Sequence, residues 1–169
     1  MGHVLRSVLW FALVPLPVAY GVPTVLALIV YNVPSVAGPI RSVGLLVSAL
    51  GTAGLIWCFS DFVRLGHGTP APYEPPRRLV AVGLYRCTRN PMYVSVLLIV
   101  FGEAIWWANW MIFGYTVLLW GGFQAWVVFH EEPALRRRFG GAYERYTHTV
   151  PRWIGRPKPA ESSRDRPIR

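Results

Sequence analysis

Apolar residues run along this chain in long uncharged blocks separated by short polar or proline-rich breaks. No charge falls between Ser7 and Ile40. A bilayer core needs about 20 apolar residues, and two spans with a turn would need more than this stretch offers, so one span is expected near Val8 to Tyr31 (8–31). Pro15, Pro17 and Pro23 each remove a backbone donor and are expected to kink or locally break it. A secretory signal is the competing reading. The weakly basic start, the long apolar region and the lack of an Ala-x-Ala site argue against it. Asn32 to Arg41 reads as a short loop. A second span follows near Ser42 to Ser60 (42–60). Gly44, Ser48 and Gly51 recur along it at about one helical turn, with Gly54 close by, a stripe suited to close helix packing.

The region from Gly66 to Tyr85 differs in kind. Pro70, Pro72, Pro75 and Pro76 forbid a regular helix and point to an extended loop. Leu79, Val80 and Val82 are too apolar for a free linker, so its end is expected to dock on the helices. A third span is expected near Met92 to Ala108 (92–108) and a fourth near Trp110 to His130 (110–130), joined so tightly that they form a helical hairpin. Trp106, Trp107 and Trp110 around Asn109 match an interfacial aromatic belt. Glu103 inside the third span is a functional candidate by default. Its plainer reading is a carboxylate near the far interface, protonated or hydrogen-bonded to a neighbour. After Glu131-Glu132, the residues Leu135, Phe139, Tyr143 and Tyr146 give an amphipathic face, expected to lie along the membrane surface. Gly140 and Gly141 make a helix break possible there.

Composition sharpens this picture. The chain has 169 residues, 53% of them hydrophobic, and a net charge of +9. That charge could suggest nucleic acid, but the basic residues flank the apolar blocks. Their pattern fits the positive-inside rule and attraction to anionic lipid, and no nucleic-acid partner is expected. With four spans, the N-terminus, the long loop and the tail share one side, which holds sixteen of the seventeen Lys and Arg. That side is expected to be the cytoplasm, placing the protein in the cell's inner membrane with both termini cytoplasmic. The expected fold is an all-α integral-membrane helical bundle of about four transmembrane helices, with a C-terminal hairpin and an amphipathic cytoplasmic tail. Residues 1–154 make a single transmembrane domain and residues 155–169 a disordered basic tail. Cys58 and Cys87 have no metal-ligand spacing, and no metal site is expected.

Two polar clusters fall at the cytoplasmic edge of this arrangement. One is Gly83 to Tyr93, GLYRCTRNPMY, just before the third span. The other is His130-Glu131-Glu132, just after the fourth. Taken separately, Arg86 and Arg89 read as interfacial anchors and the glutamates as a solvated helix end. Together they read as a ligand pocket, because ionisable groups beside hydrocarbon are costly unless grouped. Carboxylates and an arginine suit a ligand with a cationic or amphoteric part, and Tyr85 and Tyr93 could stack on it. A cytosolic ligand meeting a lipophilic one is what a group-transfer enzyme needs. A lipid-sensing scaffold fits the same residues.

The pattern G-x-Y-x-x-x-R-N-P-x-Y, a hairpin, then E-E-x-x-L-x-x-x-F-G-x-x-Y-x-x-Y-x-x-x-V-P-R resembles the isoprenylcysteine carboxyl methyltransferase and phospholipid methyltransferase superfamily. The likeness covers about Arg77 to Arg152. It implies a single methyltransferase domain with S-adenosylmethionine as methyl donor, bound on the cytoplasmic side between hairpin and tail. The acceptor implied is a small lipophilic or lipid-like nucleophile, with a phospholipid amine as one alternative and a non-catalytic scaffold or lipid-binding protein as another. By this resemblance Arg77, Arg78, Leu79 and Val80 form a donor-contacting strip. Tyr85, Asn90, Pro91, Met92 and Tyr93 make further donor contacts, Glu131 is the donor-binding carboxylate with Glu132 beside it, and Arg89 takes the catalytic position. Asn90 stands where the family usually has histidine. Val127 stands where the prenylcysteine enzymes have a substrate-linked arginine, which argues against a prenylcysteine carboxylate as acceptor.

Overall fold

The computed structural model describes residues 13–29, 38–65, 79 and 81–155. Among them every regular element is helical. Helix α1, Pro17–Ile29, opens with a π turn over Pro17–Gly21, in which the Val22 N–H bonds the Pro17 carbonyl. Helix α2 is Pro39–Leu65 and α3 is Pro91–Trp107. A 3-10 turn, Gly83–Arg86, precedes α3. Helix α4, Trp110–Phe139, contains a second π turn at Val127–Glu131, and α5 is Gly141–Thr149. The expected contacts of Arg77, Arg78 and Val80, the proline-rich loop and the tail beyond Gly155 lie outside the described residues, as do both ends of the first expected span.

The two π turns share a cause. Pro23 and Pro133 each stand two residues beyond such a turn. A proline in a regular helix clashes with the carbonyl four residues back and removes one ladder bond. Here those carbonyls belong to Ala19 and Phe129, at the centres of the π turns, where the wider ring moves them aside. The kink expected from prolines in the first span is therefore a π turn.

Two expected boundaries move. Helix α2 begins at Pro39 rather than Ser42, because proline's fixed φ is pre-organised for a first helical position. It continues past Asp61 and Arg64, with Arg64 in the last turn, where a cation complements the helix dipole. Helix α4 does not stop at His130 but runs on through both glutamates to Phe139. Its 30 residues make about 45 Å of helix at about 1.5 Å each. A hydrocarbon core of about 30 Å therefore leaves its last turns, from near His130, beyond the apolar layer.

Helix α3 is the central element, packed on α2 most extensively and on α4 and α1 as well. The small-residue stripe of α2 makes its closest contact there. A Cβ on Gly102 would lie 2.5 Å from the Ser48 nitrogen and 2.6 Å from the Gly44 carbonyl, and one on Gly51 would lie 2.7 Å from the Ser95 carbonyl. Two helix backbones touch at these positions, which only glycine permits. Ile99, Val100, Leu55, Ile112 and Ala19 fill the core around them.

The outer faces are apolar. Leu50 is 69% exposed, Leu118 76% and Phe129 73%. Water-exposed apolar surface of this extent is unusual, and lipid covers it at no cost. Helices α2 over Pro39–Asp61 and α4 over Trp110–Phe139 are long and apolar enough to cross a membrane, while Pro17–Ile29 and Pro91–Trp107 are shorter apolar helices. The tight α3–α4 hairpin turns at Ala108, which takes a left-handed conformation at φ 47°. Asn109 caps α4 by accepting from the Met111 N–H at 2.8 Å. Near that turn Glu103 accepts from the Trp107 indole at 3.0 Å, the hydrogen-bonded arrangement of its plainer reading.

Candidate functional site

The site is built on the turn that delivers the chain into α3. Gly83 has φ 54°, a left-handed conformation that glycine adopts without strain. It starts the 3-10 turn that buries Tyr85 against Cys58 of α2, with Leu84 and Met92 alongside. Pro91 then opens α3 at a position where its missing N–H costs nothing. Asn90, just before it, makes no side-chain cap to the helix. Its amide instead donates to the Arg152 carbonyl at 2.9 Å.

Asn90 is one of three successive residues bound to the segment after α5. The Thr88 hydroxyl donates to the same Arg152 carbonyl at 3.1 Å, and the Arg89 N–H donates to the Pro151 carbonyl at 2.9 Å. Tyr146 donates to the Tyr85 carbonyl at 2.7 Å. Burial raises the pKa of both the Tyr85 and the Tyr146 phenol, so Tyr146 remains a donor at any ordinary pH. Trp153, one residue on, donates its indole N–H to Gln124 inside α4 at 2.6 Å. The V-P-R end of the sequence is thus a strap that closes over the turn and ties it to α4.

The two glutamates of α4 point to different partners. Glu132 is 6% exposed and accepts from Arg89 Nη1 at 3.1 Å and from Arg152 Nε and Nη2 at 2.6 and 3.1 Å. The Glu132 hydrogen bond holds the Arg152 guanidinium pKa above its ordinary value, so this pair stays charged. Tyr143, also buried, lies beside the same pair. Burial, and then the Glu132 charge, push its phenol up, while Arg89 opposes the shift. Glu131 is half-buried and accepts one hydrogen bond, from the Tyr93 hydroxyl to Oε2 at 3.0 Å. Its Oε1 takes none among the described residues. Tyr93 packs on Phe123 with ring centroids 4.5 Å apart, and Trp126 stacks on His130 at 4.7 Å. The result is one uncommitted carboxylate oxygen beside an aromatic wall, able to receive a cation or a hydroxyl group.

The structure brings Tyr85, Arg89, Asn90, Pro91, Met92, Tyr93, Glu131 and Glu132 to one end of the α3–α4 hairpin, while Leu79 is half-buried. Glu132 is committed to both Arg89 and Arg152. The Arg89 Nε is buried without a partner among the described residues. The sequence reading missed Thr88, Arg152 and the Gln124–Trp153 pair. Arg152 could have been found, because a buried glutamate requires a cation and one arginine of the V-P-R triplet was unassigned.

These are the features of a helical membrane protein with a polar site at one end of a hairpin. The phospholipid methyltransferase family model matches residues 40–142, more than half of the chain, so the chain belongs to the phospholipid methyltransferase family. It is a methyltransferase with helices that can span a membrane. Comparison with curated proteins and with solved structures yields no match.

Proposed function

We propose that the chain is an integral-membrane methyltransferase that takes its methyl group from S-adenosylmethionine and passes it to a small lipophilic or lipid-like nucleophile at the cytoplasmic membrane face. The observation that carries this is Glu131. It is the carboxylate of the pair left with an uncommitted oxygen among the described residues, and it bonds Tyr93, whose ring packs on Phe123. A carboxylate against aromatic rings suits an ammonium or ribose hydroxyl, and the rings suit a sulfonium. When bound, the donor supplies an already activated methyl group, so alignment does much of what acid–base groups do elsewhere. Tyr93 orients Glu131. Arg89, Asn90, Glu132 and Arg152 hold the turn and strap in place, so Arg89 acts by positioning. Tyr85, Pro91 and Met92 shape the wall, and Arg77, Arg78, Leu79 and Val80 complete the donor contacts.

The family model supports a lipid acceptor. Val127 is 1% exposed and apolar where a prenylcysteine carboxylate would need a cation, and burying that carboxylate unpaired is costly. A phospholipid amine is therefore the favoured acceptor over prenylcysteine.

Calorimetry with S-adenosylhomocysteine tests the donor site. Glu131→Ala should weaken binding by about 1.5–3 kcal/mol, the range for a hydrogen bond to a charged group. Gly114→Ala, at a position with open space around it, should leave binding unchanged. Equal affinity of wild type and Glu131→Ala would overturn the assignment. Labelled methyl transfer to phosphatidylethanolamine and to N-acetyl-farnesylcysteine, side by side, tests the acceptor.

A further inference from the structure

Asp61, near the end of α2, has no role in the site as described so far. Its Oδ2 is buried and accepts no hydrogen bond among the described residues. Buried carboxylate oxygens are almost always paired, and one that is not marks a strained position, a bound water or ion, or a place kept for a ligand. Two features favour the ligand. The first is the close approach of Gly83. A Cβ there would stand 3.5 Å from the Asp61 carboxyl carbon, nearer still to Oδ2, and 3.2 Å from the Trp57 indole nitrogen. The turn that starts the site therefore carries no side chain where it faces the carboxylate. The second is the path to Glu131. Cys58, one helical turn before Asp61, is fully buried and packs on Tyr85. Met92 packs on the same cluster, and the next residue, Tyr93, donates its hydroxyl to Glu131 at 3.0 Å. Asp61 of α2 thus borders the turn that leads into α3 and Glu131 of α4 bonds the first turn of α3, and each carboxylate keeps an oxygen uncommitted among the described residues.

We propose that Asp61 is a second ligand-binding carboxylate of this site, one that receives a cationic nitrogen. No arginine or lysine among the described residues pairs with it, whereas Glu132 is met by two arginines. A carboxylate that no cation among the described residues meets is suited to a ligand that brings one. The nitrogen is an ammonium. It belongs either to the amino-acid end of the methyl donor or to the headgroup of an amine-bearing acceptor. This assignment rests on the methyltransferase reading above and adds a specificity residue that the sequence motifs do not contain.

Asp61→Asn keeps the shape and removes the charge, and two assays locate the nitrogen. If it is the acceptor's, KM for phosphatidylethanolamine should rise at least tenfold, with kcat within about twofold and S-adenosylhomocysteine affinity unchanged. If it is the donor's, the dissociation constant for S-adenosylhomocysteine should rise at least tenfold, with acceptor KM unchanged. Asp61→Glu, which retains the charge, should recover part of either loss. An asparagine variant that melts with wild type and matches it in both assays overturns the inference while leaving the donor site intact. Wild-type protein that neither binds S-adenosylhomocysteine nor transfers methyl overturns the underlying reading as well. Should Asp61→Asn not fold, wild type carries the test. Dodecylamine should inhibit donor binding or lipid methylation at least tenfold more strongly than dodecanol, and parity between the two overturns the inference.

Discussion

Glu131 and Glu132 are neighbours in sequence, yet one faces Tyr93 and the other faces Arg89 and Arg152. Successive residues on a helix do not share a face, so a carboxylate pair at such a site serves two surfaces at once. Glu132 closes the strap. Its removal leaves two guanidiniums facing each other, with the Arg89 side chain 13% exposed and that of Arg152 33% exposed. Breaking a buried pair by deleting one partner costs about 3–5 kcal/mol, and the partial exposure of Arg152 puts the expectation for Glu132→Ala near the lower end, about 3 kcal/mol. Thermal unfolding in detergent should show this as a large drop in midpoint. Glu131→Ala should melt close to wild type while losing donor affinity. A Glu132→Ala protein as stable as wild type would show that the strap does not depend on this pair. At this scale the sequence made Glu131, Asn90 and Tyr93 legible as a group. It did not separate the roles of the two glutamates, because Arg152 lies twenty residues from Glu132 and only the folded strap brings them together.

The elements obey two rules of different visibility. Close helix packing was legible, since Gly44, Ser48 and Gly51 fall on one face of α2 and that face meets Gly102 of α3. The π turns were not. A proline announces a disturbance but not its form, and only the paired spacing in α1 and α4 shows that both disturbances are absorbed in the same way. The charged run at His130 read as the end of a span, although the helix itself continues, because leaving hydrocarbon does not require leaving helical geometry. The packing makes a sharp prediction. Gly102→Ala would place a Cβ 2.5 Å from a backbone nitrogen that cannot move aside, so it should cost about 1–3 kcal/mol, the range for overpacking. Gly114→Ala meets nothing within 4 Å and should be neutral or stabilising by up to about 1 kcal/mol, the helix-propensity difference. Thermal melts of the two variants in one detergent decide it, and equal midpoints would mean the α2–α3 contact is looser than its geometry.

At the scale of the molecule, the hairpin has a polar end and a plain end. Arg89, Asn90, Glu131 and Glu132 gather at one, and Ala108 and Asn109 turn the chain at the other, about 26 Å away along the 17 residues of α3. Basic residues follow the same division, with none in the hairpin turn and five arginines between Arg64 and Arg89. Such asymmetry orients membrane helices, because Lys and Arg are retained on the cytoplasmic side. The expectation is that the whole site, the strap and both termini face the cytoplasm. The native cysteines make this measurable. Cys87 is exposed in the site turn and Cys58 is buried, so a membrane-impermeant maleimide should report on Cys87. In sealed inside-out vesicles Cys87 should label readily, and in intact spheroplasts it should not. Ala108→Cys in a Cys87→Ser background should give the reverse pattern, since Ala108 is exposed at the far turn. Labelling of both positions from the same side would break the link between charge and orientation, and labelling of Cys87 in intact spheroplasts alone would place the methyl donor's site out of reach of the cytosol.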